Sequence, residues 1–157
     1  MFTNSIYVFT AFATSCFVFI SAMLVKQQYK KNRKLFMDIV NFFDAIGLGI
    51  FVVTGTNTAL VNGHIDNAFL AIFVGVVTGI GGGMLRDILA GKIPFVLYKD
   101  VYASAAIVGS ALYYYMFTNG VNGFISVTSA ILATILIRLI ASFYHLGLPK
   151  IKKEKTK

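Results

Sequence analysis

Five apolar stretches, each about twenty residues long, dominate the sequence: residues 6–25, 39–60, 68–89, 101–117 and 124–148. A helix rises about 1.5 Å per residue, so that length crosses a hydrocarbon core about 30 Å thick. Each stretch is therefore expected to be a membrane-crossing helix, which makes the chain an all-α polytopic bundle with five spans. The period-2 alternation of a membrane β-barrel strand is not sustained anywhere. Residues are 57% apolar and 13% charged, against about 45–50% and 25% for soluble domains. A water-soluble enzyme is excluded on that ground. Disorder is excluded by the 15% of aromatic residues, because disordered chains are poor in them. The first stretch lacks a preceding basic segment and a small-residue cleavage site, so it reads as a span and not a signal peptide.

The net charge of +8 matters through where it sits. Lys26, Lys30, Lys31, Arg33 and Lys34 follow the first span, and residues 61–67 hold no Lys or Arg. Lys92 and Lys99 follow the third span, residues 118–122 again hold none, and Lys150, Lys152, Lys153, Lys155 and Lys157 close the tail. Basic loops alternate strictly with loops free of basic residues. By the positive-inside rule the N-terminus is outside and the C-terminus cytoplasmic. The basic runs are read as topological, with anionic lipid headgroups as a secondary partner and no nucleic acid. The partners expected are the bilayer and whatever solute passes through it.

The third span carries the informative motif: Gly75, Thr78, Gly79, Gly81, Gly82, Gly83, Arg86 and Asp87. Glycine costs roughly 1 kcal/mol against alanine in a helix interior. Three in a row are expected to break the helix, exposing carbonyls and N–H groups that coordinate an ion or small solute. A second reading stands beside it. Gly75, Gly79 and Gly83 recur every four residues and form a stripe suited to close helix contact, which leaves Gly81 and Gly82 unexplained. Asp44 lies early in the second span, at the same depth as Arg86 and Asp87. It is expected either to pair with Arg86, leaving Asp87 to attract cations, or to cap the second helix.

Gly47 and Gly55 are expected to serve packing, and Thr54, Thr56, Asn57 and Thr58 to bond neighbouring helices or line a hydrated path. Arg138 is expected to snorkel to the inner interface. Tyr113, Tyr114, Tyr115 and Tyr144 are assigned to interfacial belts, and the lone Cys16 to a buried small side chain. His64 and His145 have no metal-ligand spacing. No catalytic set is evident, so neither catalysis, a metal centre nor a cofactor is expected.

At an offset of 95 residues, Tyr7, Ala11 and Ser15 align with Tyr102, Ala106 and Ser110. These are helices of opposite direction, which suggests an inverted repeat. The order Phe43-Asp44-Ala45-Ile46-Gly47-Leu48, Gly55, then residues 78–87, Pro94 and Tyr102-Ala103 resembles the bacterial trimeric intracellular cation channel (TRIC) family, whose repeat is also called a glycine transporter domain. The resemblance implies helices three to seven of a seven-helix inverted-repeat fold. Residues 1–25 would then end an incomplete first repeat, 26–38 form a basic cytoplasmic loop, and 39–117 a complete three-helix repeat. Residues 118–148 would supply the final span and 149–157 the cytoplasmic tail. It also implies a homotrimer in the bacterial cytoplasmic membrane, with a pore in each subunit for monovalent cations, chiefly potassium. Gly81, Gly82 and Gly83 would carry the break, with Arg86 and Asp87 beside the path. A small-solute transporter, for glycine or a similar molecule, and a non-conducting membrane scaffold are the other readings.

Overall fold

A computed structural model describes residues 5–24, 33–91, 93–97 and 100–143. Among them are five α-helices and one short 3-10 turn: α1 (Ser5–Leu24), α2 (Arg33–Val61), α3 (Ala68–Leu89), the turn Phe95–Leu97, α4 (Asp100–Thr118) and α5 (Gly123–Phe143). By length and composition, three segments are long and apolar enough to cross a membrane: Asp38–Val61, Ala68–Leu89 and Gly123–Ser142.

The chain divides into two compact units, Met1–Val40 and Asn41–Lys157. The first holds α1, whose described side chains, among them Phe9, Phe12 and Phe17, are exposed. Cys16 is exposed as well. The expectation that it is buried fails because α1 presents apolar groups outward, where a thiol is as suitable as its neighbours.

Helix α2 starts at Arg33, so Arg33 and Lys34 lie in a helix and not in the basic loop expected over 26–38. Arg, Lys, Leu and Met favour helix, and no Gly or Pro interrupts before Gly47. The two short connections without basic residues are tight turns. After α2, Gly63 takes φ 90°. Its N–H bonds Leu60 O while His64 N–H bonds Ala59 O, each at 3.2 Å, a closure that requires a left-handed residue. Asn67 Oδ1 then caps α3 by accepting from Leu70 N–H at 3.0 Å. Asn122 Oδ1 accepts from Phe124 N–H at 2.9 Å at the start of α5.

In the second unit, α2, α3, α4 and α5 meet through small residues, as helices in lipid must, because van der Waals fit takes the place of hydrophobic expulsion. Val53, Ala59, Leu60, Ala71, Tyr113 and Ala130 form one buried cluster. Leu48, Val52, Tyr102, Ala105 and Ala106 form the other. A Cβ on Gly75 would strike Thr56 Oγ1 and stand 2.5 Å from Ser110 Oγ and 2.9 Å from Val52 O. One on Gly79 would stand 2.5 Å from Val52 Cγ2, and one on Gly55 2.6 Å from Thr78 Oγ1. Gly47 meets nothing within 4 Å, so the packing assigned to it is not found. Its side of α2 is the open one, next to exposed Phe43 and Ile50. Gly49, against Ile131, and Gly109, which a Cβ would drive into Thr134 Oγ1, make close contacts instead.

Hydroxyls tie the crossings. Thr56 donates to Val52 O at 2.9 Å and lies 2.6 Å from Ser110 Oγ, which is 3.1 Å from Ile72 O. Tyr113 is buried and donates to Asn57 Oδ1 at 2.9 Å, so it is part of the core and not of an interfacial belt. Tyr114 donates to Ile65 O at 2.8 Å. Tyr144 and His145 lie outside the described residues.

Candidate functional site

The glycine run does not break its helix. Helix α3 is continuous from Ala68 to Leu89 and passes through Gly81, Gly82 and Gly83. The expected interruption is thereby corrected, and magnitudes give the reason. Each glycine lowers helix stability by roughly 1 kcal/mol, whereas each backbone group left unpaired in hydrocarbon costs several. Continuity makes a prediction at Gly81, where an added Cβ meets nothing within 4 Å. Gly81→Ala should raise stability by about 0.5–1 kcal/mol, measured by thermal unfolding in detergent. A clear loss would mean a non-helical backbone there.

The run instead distributes its residues around the helix. Gly79 and Gly83 face the interior, Gly79 against Leu48 and Val52, and Gly83 where a Cβ would strike the Tyr102 hydroxyl. Thr78 and Gly82 turn toward the outer side of α2, Thr78 against Gly55, and Gly81 faces open space. Gly82 lies under the Phe51 ring, whose Cε2 and Cδ2 would be 2.9 and 3.0 Å from a Cβ.

One turn beyond, four helices bring their charged and phenolic groups together. Arg86 Nη1 donates to Asp44 Oδ1 in an ion pair. Its Nε and Nη2 donate to Asp87 Oδ1 at 3.0 and 2.8 Å. Arg138 reaches from α5 to donate through Nη2 to Asp44 Oδ2 at 2.9 Å, and its guanidinium lies 4.2 Å above the centre of the Tyr102 ring on α4. The expected Asp44–Arg86 pair is present, and the capping alternative is excluded because Asp44 lies well inside α2. Two expectations are corrected. Asp87 is buried, at 3% exposure, and ion-paired, so it is not an open cation attractor. Arg138 is 5% exposed and turns inward, because an aspartate and an aromatic face lie within its reach while snorkelling would leave Asp44 with one partner fewer.

Ionisable groups inside a span cost about 2.5–3.5 kcal/mol each on insertion scales, and mutual pairing offsets this. The offset is incomplete. Arg138 Nε is buried without an acceptor, and such an orphan costs about 1–3 kcal/mol. Two aspartates and two arginines sum to zero charge. Sequence reasoning missed Arg138 because its pairing depends on α5 crossing α2, which no spacing reveals.

A second feature lies on the open side of the α2–α3 pair. Thr54 and Thr58 are one turn apart on α2, and Thr78 of α3 borders the same side through its contact with Gly55. All three are exposed. Each hydroxyl donates to the carbonyl one turn back: Thr54 to Ile50 O at 2.8 Å, Thr58 to Thr54 O at 2.8 Å and Thr78 to Val74 O at 2.7 Å. With the hydrogen so engaged, the oxygens present lone pairs outward. Of the repeat residues, Tyr102, Ala106 and Ser110 form one buried face of α4, while the side chains of Tyr7 and Ala11 lie outside the described residues.

The sequence profile of the glycine transporter family matches residues 41–118. A UPF0126 membrane protein of Vibrio cholerae is 39% identical over 132 residues, covering 84% of this chain and 54% of the relative. The UPF0126 inner membrane protein YadS of Escherichia coli K12 is 35% identical over 133 residues, covering 83% and 62%. The chain thus spans between about half and somewhat under two thirds of these relatives. Among solved structures, a TRIC channel from Rhodobacter sphaeroides superposes with a TM-score of 0.76 at 28% identity over 92% of this chain and 69% of that one. A structure from work on conductance through TRIC cation channels gives 0.66 at 30% identity over 87% and 68%.

Proposed function

Because this chain belongs to the TRIC family of cation channels, we propose that it provides a passive, potassium-permeable pathway for monovalent cations. In this reading it belongs to a multi-pass homotrimer of the bacterial cytoplasmic membrane, residues 1–157 supplying five spans to each subunit, with residue 1 outside and residue 157 in the cytoplasm. The single observation that carries the reading is the hydroxyl row. Thr54, Thr58 and Thr78 are exposed in a helix pair otherwise suited to lipid, and their engaged hydrogens leave oxygen lone pairs that can replace part of a cation's hydration shell. The path then runs along an intact α3, with Gly81 leaving its side free of bulk and Gly82 giving room to the Phe51 ring.

A second reading, a transporter of glycine or a similar small solute, is favoured by the description of the family whose profile matches residues 41–118. Proteoliposomes separate the two. A channel gives potassium flux that grows with the gradient and no saturable uptake of labelled glycine; a transporter gives the reverse. A well-folded sample showing neither would support a non-conducting scaffold. Gly82→Leu should lower potassium flux at least about tenfold by pushing the Phe51 ring into the open side beside Thr78, while the protein still elutes as the same assembly. Unchanged flux would remove Gly82 from the pathway.

A further inference from the structure

We infer that Arg138, remote from the open side, determines charge selectivity by dividing Asp44 between two arginines. The inference rests on the cation-pathway reading. Arg86 is the half-exposed member of the cluster, its side chain 39% exposed against 6% for Arg138 and 7% for Asp44. A cation approaching the inner end of α3 therefore meets a guanidinium first. Asp87 and Asp44 compensate that charge, but Asp44 gives only Oδ1 to Arg86 because Oδ2 is held by Arg138. The Tyr102 ring, 4.2 Å beneath the Arg138 guanidinium, keeps that hold in place. Buried charges are weakly screened by salt, so the Arg138 charge reaches the open side through Asp44. The cluster is neutral with Arg138 and carries one net negative charge without it.

A purely structural tie is the rival explanation. It fits poorly with the acceptor-less Nε of Arg138, since a buried ion pair is weak evidence of stabilisation when apolar residues of similar size serve as well. Arg138 is thus a positioning residue, and its test needs a readout that a tie would not move.

The readout is the potassium-to-chloride permeability ratio, taken from reversal potentials in planar bilayers under a tenfold KCl gradient. It is independent of how many channels survive. Arg138→Gln should raise the ratio at least about threefold, and Arg138→Met, an apolar replacement suited to a buried position, should do the same. Arg138→Lys should keep the original ratio. The double variant Asp44→Asn with Arg138→Gln, again neutral, should return to it. An unchanged ratio in both Arg138→Gln and Arg138→Met, or a rise in Arg138→Lys equal to theirs, would overturn the inference while leaving the cation pathway standing. Absence of any current in the unmodified protein would instead overturn the pathway, and the inference with it.

Discussion

Asp44→Ala should cost about 3–5 kcal/mol of stability, the range found when one partner of a buried ion pair is removed. The size follows from what is left behind. Arg138 loses its ion-pair acceptor while already carrying an acceptor-less Nε, and Arg86 keeps only Asp87. Three helices are joined through this one carboxylate: α2 by its backbone, α3 through Arg86 and α5 through Arg138. Unfolding in detergent, followed by circular dichroism against denaturant, should show the loss. Removing Asp44 and Arg138 together should cost less than removing Asp44 alone, because no charge is then stranded. A loss below about 1 kcal/mol for Asp44→Ala would indicate a hydrated cluster in the manner of a surface pair.

Gly75→Val is the second large effect expected. Overpacking a close-fitted core costs typically about 1–3 kcal/mol, and this site belongs at or above the top of that range. The first added carbon already strikes Thr56 Oγ1 and stands 2.9 Å from the backbone carbonyl of Val52. A carbonyl of α2 cannot swing aside as a side chain does, so α2 and α3 must separate and break the Thr56–Ser110 contact. Thermal unfolding should register a marked drop, with loss of a single elution peak. Gly47→Ala is the matched control: nothing lies within 4 Å of it, so helix propensity alone should act, raising stability by up to about 1 kcal/mol. Equal behaviour of the two variants would contradict this packing.

The helices were legible because apolar length is a one-dimensional signal. Residues 68–89 coincide with α3 at both ends, where Asn67 caps the start. Boundaries set by charge fared worse: Arg33 and Lys34 read as loop yet extend α2, since a positive charge constrains depth in the membrane and not backbone conformation. The Asp44–Arg86 pair was legible because the two spans run oppositely and place both at one depth. Arg138 was not, because its angle around α5 is fixed by packing against α2 and α4. The glycine run misled for a related reason. Propensity argues for a break, but the decisive quantity is the cost of bare peptide groups in lipid. Gly75 and Gly79, whose four-residue spacing suits close helix contact, are where α3 meets α2 most closely.

One measurement addresses the central claim, that an unbroken α3 presents one wetted face to a cation path. Single cysteines placed along α3, with Cys16 replaced by Ser, are exposed to a membrane-impermeant thiol reagent in proteoliposomes. At 100° per residue, Thr78, Gly82 and Leu85 cluster on one side of the helix, and Phe73, Val77 and Met84 cluster about 130° around from it. The account predicts labelling at the first three positions and protection at the second three. Uniform labelling across Gly81, Gly82 and Gly83 together with Met84, or no labelling at Thr78 and Gly82, would contradict it.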